Sequence, residues 1–413
     1  MRAVELLAKF ERDGWDCNPF EEMLRIAHES GEEVGELLRL GMLVGKKSVT
    51  FLDAAISYVP EKNLFKLAQL ANEALLKNRK NEVAQSVVAY LALQSVECLQ
   101  EFLPSHSTMP PNWDAYYADW PWRGAANEEI ERQMATVSCS KSRKERIRAL
   151  NRIFQRRNPA DTKAVLARLQ SSETIEECLR YLEEVGLDGP ERKLYSETVF
   201  HIGFPKDFLV SEEKPIWLKR NNHPSWGLAP SAGTHRFGGV AEGNCAICGD
   251  PLHNLLTLDP VPKGLGPAPS RRLQLATCIS CLGWSASPMF FWHDDSGKPI
   301  PLNQEHAVPE FPRAPLEEMR VALCPTPNRW KWQDWALANG RENLNRLGGH
   351  PTWIQGAEYP KCIVCDQLMP FLLQLDSDFS LADGGEVLWG SGGICYLFWC
   401  PSCSVSASLW QCT

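Results

Sequence analysis

Cys245, Cys248, Leu255, Leu256, Leu258 and Asp259 recur as Cys362, Cys365, Leu372, Leu373, Leu375 and Asp376, every one at an offset of 117 residues. The first copy opens with Arg236-Phe237-Gly238-Gly239 and closes on a short apolar run ending in Cys278-x-x-Cys281. The second opens with Arg346-Leu347-Gly348-Gly349 and closes on Cys400-x-x-Cys403. Six positions matched at one spacing mark a duplication. This half of the chain must therefore fold as two related modules, with halves at about 230–298 and 340–413.

In Cys-x-x-Cys a tight turn points both sulfurs to one side. Two such hooks close a tetrahedron of thiolates about 2.3 Å from a Zn²⁺ ion. Each copy supplies two hooks, so Cys245, Cys248, Cys278 and Cys281 form one expected zinc set and Cys362, Cys365, Cys400 and Cys403 the other. Four thiolates leave no open coordination position, which makes both expected sites structural, with binding free energy that is folding free energy. The competing readings are reduced surface thiols or a redox pair. Pairing within each copy is favoured, and cross-pairing between copies stays open because spacing does not fix connectivity.

The rest of the chain reads differently. Apolar residues follow helical spacing from Leu6 to about Phe102, as in Leu64, Leu67, Ala71, Ala74 and Leu75. Pro104, Pro110, Pro111 and Pro121 interrupt the pattern over 104–124, a segment anchored by Trp113, Trp120 and Trp122. Helical spacing resumes from about Glu128 to Val199 and is compatible with stacked helix pairs of the HEAT type. The expected fold class is α+β: an all-helical domain over 1–210, with a sub-boundary at 104–124, then a duplicated, mainly β zinc-binding domain over 211–413.

At 413 residues the chain exceeds one ordinary core. Acidic residues interrupt the first apolar run and no stretch of about 18 apolar residues follows, so the expected location is the cytoplasm, with no membrane partner. There the 15 cysteines stay reduced, which favours metal ligation over disulfides. A formal charge of −8 disfavours a general affinity for nucleic acid and suits a basic protein partner. Glu21, Glu22, Glu29, Glu32, Glu33 and Glu36 form one acidic stretch. Lys141, Arg143, Lys144, Arg146, Arg148, Arg152, Arg156 and Arg157 form a basic one, read as a solvated helix face before a nucleic-acid contact.

Other residues carry weaker signals. Asp259 and Asp376 end matched apolar runs and suit turn capping better than acid–base chemistry. Arg236 and Arg346 precede paired glycines, whose backbone conformations exclude other residues. His253, His293, His306 and His350 would be ligands only where a cysteine failed, and read otherwise as packing histidines. Trp330, Trp332 and Trp335 read as packing around a zinc module before a partner hot spot. The sequence carries no Gly-x-Ser-x-Gly elbow, no phosphate loop and no His-Glu-x-x-His, so no catalytic or organic-cofactor residues are assigned and a binding protein is expected rather than an enzyme.

The run from Arg346 through Gly348-Gly349-His350-Pro351-Thr352-Trp353, the hook at Cys362, the segment Phe371 to Asp378 and the strand closing on Cys400-Pro401-Ser402-Cys403 resembles the YwqG-like family of bacterial proteins. The resemblance covers roughly 230–413. It implies a mostly β fold in two similar halves and a place beside polymorphic toxin systems, where relatives look like immunity proteins. Many members lack the hooks, so zinc rests on this sequence alone. The resulting expectation is an immunity protein that occludes the active site of a cognate, basic toxin, plausibly a nuclease. The alternative is a zinc-stabilised nucleic-acid-binding protein using 141–157.

Overall fold

The computed structural model describes residues 2–44, 50–106, 117–169, 175–205, 215–218, 223–226, 233–265, 272–302, 307–309, 311–338 and 342–413. Its class is α+β, and its contacts divide it into two units. The helical unit comprises Met1–Arg192, Glu212–Pro224 and Asn328–Trp332; the β unit comprises Lys193–Ser211, Ser225–Pro327 and Gln333–Thr413. Trp113 and His306 lie outside the described residues.

In the helical unit, amphipathic segments turn their apolar stripes inward. Pro19 occupies the first turn of the helix Pro19–Glu29, and Asn81 caps Glu82–Gln94 by accepting from the Ala84 amide at 3.1 Å. The latter helix is buried along almost its whole length. A second core gathers Trp122, Ile130, Leu150, Ile153, Phe154, Val165 and Leu182. Trp122 is wholly buried, its indole N–H donating to Glu129 at 3.1 Å while the Arg152 guanidinium lies 3.8 Å from its ring centroid.

The acidic stretch is largely paired. Arg25 holds Glu22 and Glu29, Arg2 reaches Glu29, Arg39 holds Glu36 and Lys62 reaches Glu32. Helical i, i+3 and i, i+4 spacing brings several of these together.

The helical unit ends earlier than the spacing to Val199 suggests. Ile175–Glu184 is followed by Gly186 and Gly189, both at positive φ, and Ser196–Gly203 is a strand of the β unit. Glycine breaks the helix, and the β-branched residues beyond it take the sheet. Trp330 and Trp332 also depart from the zinc-module reading, because Asn328–Trp332 belongs to the helical unit. Trp332 lies between the guanidinium groups of Arg123 and Arg157, at 4.1 and 4.2 Å. Trp335 packs against a core of the β unit.

Among the described residues the β unit carries a 12-stranded antiparallel sheet. Its path runs Val240–Asn244, Pro251–Leu258, His235–Phe237, Met319–Pro325, Ser196–Gly203, Arg346–Gly349, Phe371–Leu375, Ile394–Cys400, Val405–Gln411, Met289–His293, Pro299–Pro301, and Leu273–Thr277, off this path, pairs with Pro251–Leu258. Both faces are covered. Along Ile394–Cys400 successive side chains alternate between two cores: Ile394, Tyr396, Phe398 and Cys400 enter one, Cys395, Leu397 and Trp399 the other.

The duplication is visible in the pairing. Phe237 faces Met319 and its counterpart Leu347 faces Phe200. Three residues on from these partners, Gly203 and Ala322 face one another, which places an approximate two-fold axis between them. Each copy's leading strand thus pairs with the other copy: Ser196–Gly203 with Arg346–Gly349, and Met319–Pro325 with His235–Phe237. The Arg-x-Gly-Gly turns match as well. Gly238 and Gly348 have φ of +70° and +71°, and in each turn the arginine donates to the carbonyl four residues on, Arg236 to Val240 and Arg346 to His350.

Candidate metal centres

Each first hook is built by the same two backbone bonds. The Cys245 amide donates to Asp250 at 2.8 Å and the Gly249 amide to Cys245 at 2.9 Å; Cys362 donates to Gln367 and Asp366 to Cys362, both at 2.8 Å. Gly249 and Asp366 occupy the left-handed position that lets the chain double back, at φ +81° and +57°. Each second hook follows a strand, Leu273–Thr277 in the first copy and Ile394–Cys400 in the second.

The folded chain brings the four thiols of each copy together, so the hooks pair within copies. In each set the sulfurs lie within 4.8 Å of one another. Cys245 and Cys281 are 3.9 Å apart, Cys248 and Cys278 3.7 Å, and Cys365 and Cys400 3.7 Å. Thiolates about 2.3 Å from one ion define a tetrahedron with edges of about 3.8 Å, so the donor sets fit a four-coordinate metal. These separations far exceed a sulfur–sulfur bond of about 2.05 Å, so the hook cysteines are thiols and not disulfides.

Without a cation the thiols of each set do not ionise together. Burial pushes Cys281 up to about 12 and Cys403 up to about 12, while a hydrogen bond from Cys278 draws Cys245 down to about 5. Four clustered thiols without a cation keep most of their protons, because each new thiolate raises the cost of the next. A divalent metal removes that repulsion and releases the protons.

The histidines serve other purposes. His253 accepts the Ile279 amide at Nδ1, 2.9 Å, and its Nε2 faces the Arg313 carbonyl at 3.1 Å. His293 contacts Ser406 at 2.8 Å, and His350 lies 2.8 Å from the Pro351 carbonyl. Asp376 caps the Ser377 amide at 2.9 Å.

The two centres differ in their surroundings. In the first, residues 307–309 and 311–316 form a strap: the Ala307 amide donates to the Ile247 carbonyl at 3.0 Å and the Arg313 amide to Ser280 Oγ at 2.9 Å. Ile247, Ile279 and Ser280, which lie between the hook cysteines, are buried. In the second centre Ile363 and Val364 are 57% and 63% exposed, and Pro401 and Ser402 are exposed. The strap and His253 are absent from the motif pattern. Pro309, Pro312 and Pro315 at every third residue are the signal that finds the strap, since that spacing suits an extended chain.

Three arginines of the basic segment are engaged within the helical unit, while Lys141, Arg143 and Lys144 are exposed. Arg152 is buried against Asp119 at 3.3 Å, Arg156 pairs with Asp161 at 3.1 Å, and Arg157 is buried and donates to the Val185 carbonyl at 2.7 Å. Among the described residues no helix is long and apolar enough to cross a membrane.

No family model matches the chain, and no solved structure matches it. Over 199 residues the chain is 30% identical to a protein of Salmonella typhimurium (strain LT2) called uncharacterized protein YpfL. That match covers 42% of this chain and 41% of the relative, so the chain spans less than half the length of the protein it resembles.

Proposed function

We infer that the chain is a binding protein whose β unit is held by two structural zinc ions. The observation that carries this reading is the pair of four-thiol sets with tetrahedral spacing. A centre closed by four thiolates holds no site for water or substrate, so it organises the fold and does no chemistry. Zinc suits the all-sulfur donor set and needs no redox partner.

The partner in this reading is a basic toxin, and the chain is the immunity protein that occludes its active site. Supporting it are the net charge of −8 and the likeness of residues 230–413 to the YwqG-like family. An acidic binder attracts a basic nuclease over a distance and associates fast, with a rate that falls as salt rises. The test is co-expression with the toxin encoded beside it. Restored growth and a co-purifying complex are the expected result; no rescue and no complex would overturn the reading.

A further inference from the structure

The two metal centres share a backbone design, but among the described residues only the first carries a cover. In the first centre the strap docks through two acceptors, the Ile247 carbonyl and the Ser280 hydroxyl. Both recur in the second. Val364 holds the place of Ile247 in its hook, and Ser402 the place of Ser280 in Cys400-Pro401-Ser402-Cys403. The buried apolar residues of the first pair of hooks, Ile247 and Ile279, have the counterparts Val364 and Pro401, and these are exposed, as is Ile363 beside them. The feature that fastens the strap is missing: where His253 joins the Ile279 amide to the Arg313 carbonyl, the second copy has Pro370.

We propose that the paired hooks of the second metal centre are a docking face for an extended, proline-containing apolar segment of a partner polypeptide, which meets Val364 and Ser402 as Ala307 and Arg313 of the strap meet Ile247 and Ser280. The first copy supplies the template for the occupant. Its strap places prolines at every third residue and donates two amides. Exposed isoleucine and valine flanked by Lys361 and Asp366, which pair at 3.7 Å, give a face with an apolar centre and a balanced rim. Such a face selects an apolar segment over a charged one. Without an anchor like His253 the cover comes and goes, as suits an exchangeable partner.

This inference rests on the binding-protein reading and does not require the partner to be a toxin, so its test is separate from the growth rescue. The probe is a synthetic peptide with the sequence of residues 307–316, titrated into the full zinc-loaded chain and followed by amide chemical shifts. The expected result is shifts centred on residues 362–365 and 400–403, with affinity about tenfold weaker in I363D/V364D and reduced in S402A. Both variants change exposed side chains, and unchanged zinc content and thermal midpoint verify that they fold. Absence of shifts at millimolar peptide, or equal binding by I363D/V364D, would overturn the proposal. Self-association through this face without peptide would make the occupant a second copy and would also overturn it.

Discussion

A Cβ atom on Gly348 would stand 2.1 Å from the carbonyl oxygen of Thr198, closer than any side-chain carbon tolerates. Its counterpart Gly238 stands in the same relation to Glu317, at 2.2 Å. Both glycines have positive φ, so a substituent meets backbone strain and a backbone clash together. Gly348→Ala and Gly238→Ala should each destabilise the β unit by about 3 kcal/mol or more, read from urea unfolding midpoints. Gly384→Ala is the control: its φ is also positive, but nothing lies within 4 Å of its Cβ position, so only the smaller conformational cost of about 1 kcal/mol is expected.

Zinc content should change one ion at a time. The purified chain is expected to hold two zinc ions, and Cys278→Ser, at a fully buried sulfur, should leave one. Chelation should lower the thermal midpoint of the β unit strongly, because binding free energies of about 10 kcal/mol or more per structural site contribute to folding. Elemental analysis with calorimetry checks both outcomes.

Acid should weaken the fold through two buried histidines. Burial brings His201 and His293 down to about 4 from an ordinary 6.5. The Arg346 charge adds to the effect at His201. Both are neutral in the folded chain, while the unfolded chain takes up their protons first. Stability is therefore complete above about pH 6.5 and is lost as pH falls towards 4, by up to about 3 kcal/mol per histidine. His201→Gln should flatten its share of the slope between pH 7 and pH 5, measured by urea unfolding at each pH.

Arg152→Ala should act on stability and leave nucleic-acid affinity unchanged. It strands the Asp119 carboxylate, which burial already pushes up, and removes the guanidinium from the Trp122 ring. A loss of about 3 kcal/mol is expected by thermal unfolding. A salt-titrated binding assay should give the same weak response as the unsubstituted chain.

The cysteine sets, the duplication and the change from helix to sheet were legible because each leaves a periodic or repeated trace. Hook spacing alone placed eight sulfurs. Four features were not legible. The strand Ser196–Gly203 was hidden because Val199 continues an apolar spacing that a helix also satisfies. The pairing of Arg25, Arg39 and Lys62 with the acidic stretch depends on helix faces and on residues distant in sequence. Arg152 and Arg157 read as surface charges until Trp122 and Trp332 are placed over their guanidinium groups. The strap over the first centre carries no ligand, so its proline spacing was the only clue.

The exchanged leading strands have a consequence for how such a molecule can exist at all. Since Ser196–Gly203 completes the second module and Met319–Pro325 the first, a chain bearing a single module would be left with one orphaned ribbon and one vacant edge. It could close only by clasping an identical chain about the line between Gly203 and Ala322. Tandem fusion makes that embrace internal, independent of concentration, and frees the two modules to diverge, so that among the described residues one set of thiols lies under a strap and the other does not.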